Sequence, residues 1–181
     1  MQKLQRLRRC SGLVVALSLS AAGCGETTDG SGGTNTGDLS FTKLTMTTYG
    51  GFGTGAPPGS TCDWQEDPQT QTVTAASREL SYSFCDTSGS GVPWMSRAGA
   101  RTLTAAEVVS VDQALRQVKP SSAMGCGADA SATLLDIQGP GGERLLADDF
   151  YSGCPWEIHA GRTFATGLPA LRDLLNSLQE K

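Results

Sequence analysis

His159 is the sole imidazole in the 181 residues, and imidazole trades a proton near neutral pH more readily than any other side chain. Beside an acid it would give a hydrolase its general base. Standing close to Trp156, it reads first as a structural or surface residue. A serine nucleophile for such a base would sit in a G-x-S-x-G turn, and the chain has none. The glycine run at 50–55 lacks the lysine and the strand–loop–helix setting of a phosphate loop. Carboxylates occur in two adjacent pairs, Glu66-Asp67 and Asp148-Asp149. Neighbours in a strand point to opposite faces, so Asp148 and Asp149 do not aim at one substrate, and both pairs read as solvated acids. A calcium loop needs acids at alternating positions closing on a glutamate, and a zinc site needs CxxC-like spacing or several histidines. The sequence has neither pattern, so the expectation is no metal, no cofactor and no catalytic residue.

Cysteine is the more informative residue type. Six are present. Cys24 ends a short apolar stretch, Leu19-Ser20-Ala21-Ala22-Gly23-Cys24, which follows a positive segment carrying Lys3, Arg6, Arg8 and Arg9 with no acid. A permanent membrane helix needs roughly 20 apolar residues, and this run has only about ten, the span of a secretory signal. The segment resembles the signal peptide and lipobox of a bacterial lipoprotein, with Ala21 standing where that family usually has leucine. The resemblance implies cleavage before Cys24 and attachment of a diacylglycerol and a fatty acid to Cys24. An ordinary signal peptidase cut after Ala22, using Ser20 and Ala22, is the alternative. Thiol parity favours lipidation. Cleavage removes Cys10 and leaves Cys24, Cys62, Cys85, Cys126 and Cys154. An odd thiol in an oxidising compartment needs an explanation, and acylating Cys24 leaves four that can pair. Stable anchoring takes more than one acyl chain, which a triacylated cysteine supplies.

Residues 1–23 are therefore read as signal peptide. Residues 24–38 are read as the lipidated cysteine and a tether, because 25–38 contain no apolar side chain and cannot offset the entropy of ordering. Fourteen such residues reach roughly 20 Å. Residues 39–181 remain as a single globular domain of ordinary size. Removing 1–23 takes four of the 14 basic residues and none of the 18 acids, for a formal net charge of −8. That balance argues against nucleic acid and against electrostatic adhesion to anionic lipid. The expected location is the bacterial cell envelope, outside the cytoplasm, with the acyl chains of Cys24 as the membrane contact and the domain a monomer.

The domain reads as α+β, a small antiparallel sheet of hairpins with two main helices and two disulfides. Strands are expected at 40–49, 61–65, 71–75 and 79–85, and a hairpin at 132–138 and 143–150 around Gly139-Pro140-Gly141-Gly142. Thr104-Ala105-Ala106-Glu107 matches a capping box opening a helix over 104–118. Val108, Val111, Leu115 and Val118 form its apolar stripe. Pro169 lies in the first turn of the second helix, 168–180, whose stripe is Leu168, Leu171, Leu175 and Leu178. Both stripes read as core. Residues equidistant from an antiparallel turn meet, so Cys126 should pair with Cys154 across the turn at 140–141, and Cys62 with Cys85 across a turn near 76–77.

Binding by loops then remains. Glycines flank Phe52 at Gly51 and Gly53, and Pro57-Pro58 stiffens the far side. Trp94 and Trp156 each follow a proline. Aromatics in loops are typical contact anchors, so Phe52, Trp94 and Trp156 are the candidate contact residues, with packing on the core as their alternative role. A strand ending in Gly50-Gly51-Phe52-Gly53, a helix opened by Leu103-Thr104-Ala105-Ala106-Glu107, a Cys126–Asp129 segment before a hairpin and a closing helix from Leu168-Pro169-Ala170-Leu171 together resemble the layout of emfourin-like proteins. That family includes small bacterial inhibitors of thermolysin-like metallopeptidases. The lipid anchor, the cysteines and an insertion at 56–101 depart from it. The expectation is a non-catalytic envelope binding or accessory lipoprotein, with an extracytoplasmic peptidase inhibitor working through Phe52 as the alternative and a hydrolase using His159 as the third.

Overall fold

A computed structural model describes residues 39–50, 55–87, 91–122, 125, 131–149 and 157–179. All of them belong to one unit of the chain, Thr34–Lys181. Cys24, Phe52, Cys126, Cys154 and Trp156 lie outside the described residues, and with them the expected lipidation and the expected second disulfide.

Alternation builds the sheet. In β1 (Lys43–Tyr49), Leu44 and Met46 are buried and the threonines between and beyond them are half exposed. Leu44 sits opposite Val73 of β2 (Gln69–Thr74) on one side and Ile137 of β6 (Ala132–Gly139) on the other. Leu80 of β3 (Glu79–Asp86) continues the row. Beyond β3 lies β4 (Met95–Thr102), and beyond β6 come β7 (Gly142–Asp148), β8 (Thr163–Thr166) and the two-residue β5 (Lys119–Pro120), giving the order β4-β3-β2-β1-β6-β7-β8-β5. Every pair is antiparallel except β7 and β8. The expected α+β class with antiparallel hairpins and two helices is what forms, but the sheet is eight strands wide rather than small.

The helices cover one face. α1 (Ala105–Gln117) opens with the expected capping box: Thr104 accepts from the Glu107 amide, and Glu107 accepts from the Thr104 amide. Val108, Val111, Leu115 and Val118 are all buried. α2 (Leu168–Gln179) buries Leu168, Leu171, Leu175 and Leu178 and packs on α1, β6 and β7. Burying a leucine contributes about 1.5–3 kcal/mol, so the α2 stripe is a large share of the core. Arg101 of β4 joins the two helices. It donates to the Leu178 carbonyl in the last turn of α2 at 2.8 Å and to Glu107 in the first turn of α1 at 2.6 Å. A cation at one helix C-terminus and an acid at the other N-terminus complement both macrodipoles.

The start of the domain is held by Asp112 of α1, which is buried. Its carboxylate accepts the Ser40 amide at 2.7 Å, the Ser40 hydroxyl at 2.5 Å and the Arg116 Nε at 2.6 Å. Burial pushes the carboxyl up, but the Ser40 hydroxyl, the Ser40 amide and the Arg116 guanidinium outweigh it and bring the group below the ordinary aspartate value of 3.8. A depressed folded value means that stability is present above the unfolded value and is lost as pH falls through the folded one. Replacing Asp112 by alanine should cost about 2 kcal/mol at pH 7, the scale of hydrogen bonds to a charged group. Urea unfolding of both proteins across pH checks this: the difference should hold down to about pH 4 and shrink below it.

Three expectations need correction. Residues 61–65 form no strand. Asp63 folds them into a turn, its side chain accepting from the Gln65 amide at 3.0 Å and its carbonyl from Glu66 and Asp67. That self-bonding competes with any sheet ladder. The second correction is three missed strands, β5, β8 and β4; the run of small and charged residues in β4 has little strand character of its own and is recruited by pairing along the whole of β3. Third, Asp148 and Asp149 are not solvated. They are 4% and 5% exposed, because β8 runs parallel alongside the end of β7 and covers it.

Candidate functional site

A cleft opens where β1 and β3 end and β2 begins. Its volume is about 210 Å³. Local sequence explains its walls. Pro57 starts a turn in which Ser60 bonds the Pro57 carbonyl. The chain then runs beside the start of β4, where Thr61 and Ser60 bond the backbone of Trp94 and Ser96. Cys62 follows, pinned to Cys85 of β3 by a disulfide with a Cα–Cα separation of 5.8 Å. The Asp63 turn then delivers Trp64 over the end of β1. A Cβ on Gly50 would overlap the Trp64 ring carbons Cε3 and Cζ3, so the indole lies directly on the Gly50 backbone, and only glycine leaves it room.

Trp64, Tyr49 and Phe84 line the cleft, with Cys85, Asp67 and Gln69 completing the part of the wall that bears on binding. Phe84 is braced by Tyr82 one strand repeat away, ring centroids 6.3 Å apart. Gln69 is held in turn by α2: its Nε2 donates to the Asn176 side chain at 2.9 Å, as does that of the buried Gln71. The Asp67 carboxylate accepts the Asp63 amide at 2.8 Å. The cleft therefore carries three aromatic residues in its wall, Trp64 beside a disulfide and Phe84 against the Tyr82 ring, with the helix-held Gln69 amide and the Asp67 carboxylate as polar groups. Rigid aromatics with few oriented polar groups suit recognition of an apolar or aromatic group. Two broader hollows of about 520 and 450 Å³ flank Arg144 at the opposite end of β6, lined largely by turn and edge residues.

The sequence-derived site residues fall as follows. Cys62 and Cys85 pair as expected. Trp94 is half-buried, tied through its backbone to Ser60 and Thr61, and it is not in the cleft wall. His159 is buried, with its ring edge-on to Phe164 at 5.8 Å, and it too lies outside the cleft wall. Arg162 beside it bonds Asp136 and the Leu146 carbonyl, locking that turn onto β6 and β7. Among the described residues no three His, Cys, Asp or Glu side chains converge as a metal site would require. Trp64, Tyr49 and Phe84 were not singled out from sequence. The available signal was Cys62-Asp63-Trp64, a turn-forming aspartate between a cysteine and an aromatic. The chain matches no protein-family profile and no curated protein.

Proposed function

We propose that this chain is a lipid-anchored envelope protein that binds a partner through the cleft end of its sheet rather than catalysing a reaction. Triacylated Cys24 holds it to the membrane, the 25–38 segment spaces it outward, and a second disulfide joins Cys126 to Cys154. The single observation that carries the reading is the aromatic cleft, lined by Trp64, Tyr49 and Phe84, in which the disulfide at Cys62 restrains the Trp64 segment and the Tyr82 ring braces Phe84 before any ligand arrives. Preorganised aromatic anchors lose little entropy on contact. Site-specific photocrosslinking in cells tests it. A benzoylphenylalanine in place of Trp64 should trap a discrete partner, and the same probe at Thr72, on the far face of β2, should trap none. Equal trapping at both sites, or none at Trp64, would reject the cleft.

A second reading makes the partner a secreted metallopeptidase. It is favoured by the position of Gly50: β1 ends at Tyr49, and the next residue lies under Trp64 in the cleft wall, immediately before Gly51-Phe52-Gly53. The order of a strand ending at 49, a capped helix at 104 and a closing helix at 168 also agrees with the emfourin-like layout. Unchanged cleavage by thermolysin-like peptidases at micromolar chain would remove it.

A further inference from the structure

We propose that the outer half of β4 is a strand-addition site for an extended segment of a partner protein carrying a carboxylate opposite Arg97. The two edges of the sheet are treated differently. One ends in β5, two residues long and closed by Pro120, a short proline-bearing edge of the kind that blocks pairing. The other is β4, eight residues long. Its first part is covered: the amides of Trp94 and Ser96 donate to Ser60 Oγ and Thr61 Oγ1, and the Trp94 carbonyl accepts from Thr61. Those bonds show which residues aim their backbone outward. By the alternation of a strand, Ala98, Ala100 and Thr102 aim theirs outward too, and no bond among the described residues reaches the N–H or C=O of Ala98 or Ala100. Among the described residues the cover stops at Ser96, and a short template is left open beyond it.

The side chains there admit a strand. Ala98 and Ala100 are small, exposed and on the face away from the helices. On the helix side Gly99 has no side chain, and the Tyr82 ring lies over it, its hydroxyl 2.5 Å from where a Cβ would stand. An incoming aromatic opposite Gly99 would meet that ring. Arg97 is 60% exposed, with Asp86 at 3.4 Å, and a residue directly opposite it would lie within about 5.5 Å between Cβ atoms. A second copy of this chain fits the same edge badly. Antiparallel pairing centred on Ala100 sets Arg97 against the second copy's Leu103, which is buried and has left the strand. The adjacent register sets Arg97 against the second copy's Arg101, and like charges directly opposite are destabilising. Strand addition gives affinity through main-chain bonds and specificity through alternate side chains.

A capped heptapeptide alternating valine with threonine, phenylalanine and glutamate, in that order, places glutamate against Arg97 and phenylalanine against Gly99 in the antiparallel sense. Titrated into the purified mature chain and followed by amide NMR and calorimetry, it should shift the amides of 97–102 and leave those of Trp64 and Tyr49 in place. Ala100→Pro should weaken it by at least about tenfold through loss of a main-chain bond. Proline is tolerated on an edge whose N–H faces solvent, and Ala100→Thr, which keeps the amide, should bind as the parent does. Arg97→Glu should weaken the glutamate peptide about fivefold and favour its lysine counterpart. Equal binding to the parent and Ala100→Pro, shifts confined to the cleft, no binding at all, or a dimer protected at 97–102 would each overturn the proposal.

Discussion

Replacing Cys62 and Cys85 together by serine should lower the unfolding free energy by about 3 kcal/mol, the chain-entropy value for a loop of this length. The bridge spans 23 residues and joins a turn to the end of β3. For a domain of this size the loss corresponds to about 10 °C in Tm, read by calorimetry on oxidised, reduced and doubly substituted protein. The consequence reaches the cleft as well. Cys85 is in its wall and Cys62 is two residues from Trp64, so cutting the bridge leaves the 55–67 segment held by its bonds to Trp94 and Ser96 and by its own Asp63 turn. Partner crosslinking from the cleft should fall more steeply than stability alone accounts for. Equal Tm values in the oxidised and reduced protein would contradict this.

Gly50→Ala should empty the cleft of its indole without unfolding the domain. The added methyl would overlap Trp64 Cε3 and Cζ3 and come within 2.8 Å of Cδ2. Gly50 directly follows β1, which is paired as far as Tyr49, whereas the indole can rotate about its side-chain bonds, so the ring yields. Overpacking of this kind costs about 1–3 kcal/mol. With Trp94 and Trp156 changed to phenylalanine, the remaining emission reports Trp64 alone. It should shift to the red in Gly50→Ala, and partner binding at the cleft should be lost. An unshifted spectrum would show that the ring does not lie where the wall of the cleft requires it.

How far the sequence foretold this molecule depends on the range of the forces involved. The capping box at Thr104 and Glu107, the four-residue valine and leucine stripe of α1 and the leucine stripe of α2 are local patterns, and each forms where its spacing says. The β6–β7 hairpin was equally legible from its Gly-Pro-Gly-Gly turn and alternating flanks. Cys62 and Cys85 pair as foreseen, though for a different local reason: Cys62 comes from the Asp63 turn, not from a strand facing β3. What depends on distant partners was not legible. β4 has no strand signature and exists because β3 offers it an edge. β8 joins β7 in parallel after a long excursion, and this burial turns Asp148 and Asp149 from surface acids into covered ones. The cleft depends on both kinds of information. Its glycine at 50 could be read from sequence, but the arrival of Trp64 above it depends on a disulfide and a turn acting together.

Intact-mass spectrometry of the protein extracted from its own membrane, before and after thiol alkylation, tests the account most directly. The expected chain begins at Cys24, carries three acyl groups and takes up no alkylating reagent until it is reduced, when four thiols appear. A chain beginning at Gly23 without acyl groups, or one that alkylates before reduction, would contradict an anchored domain closed by two bridges.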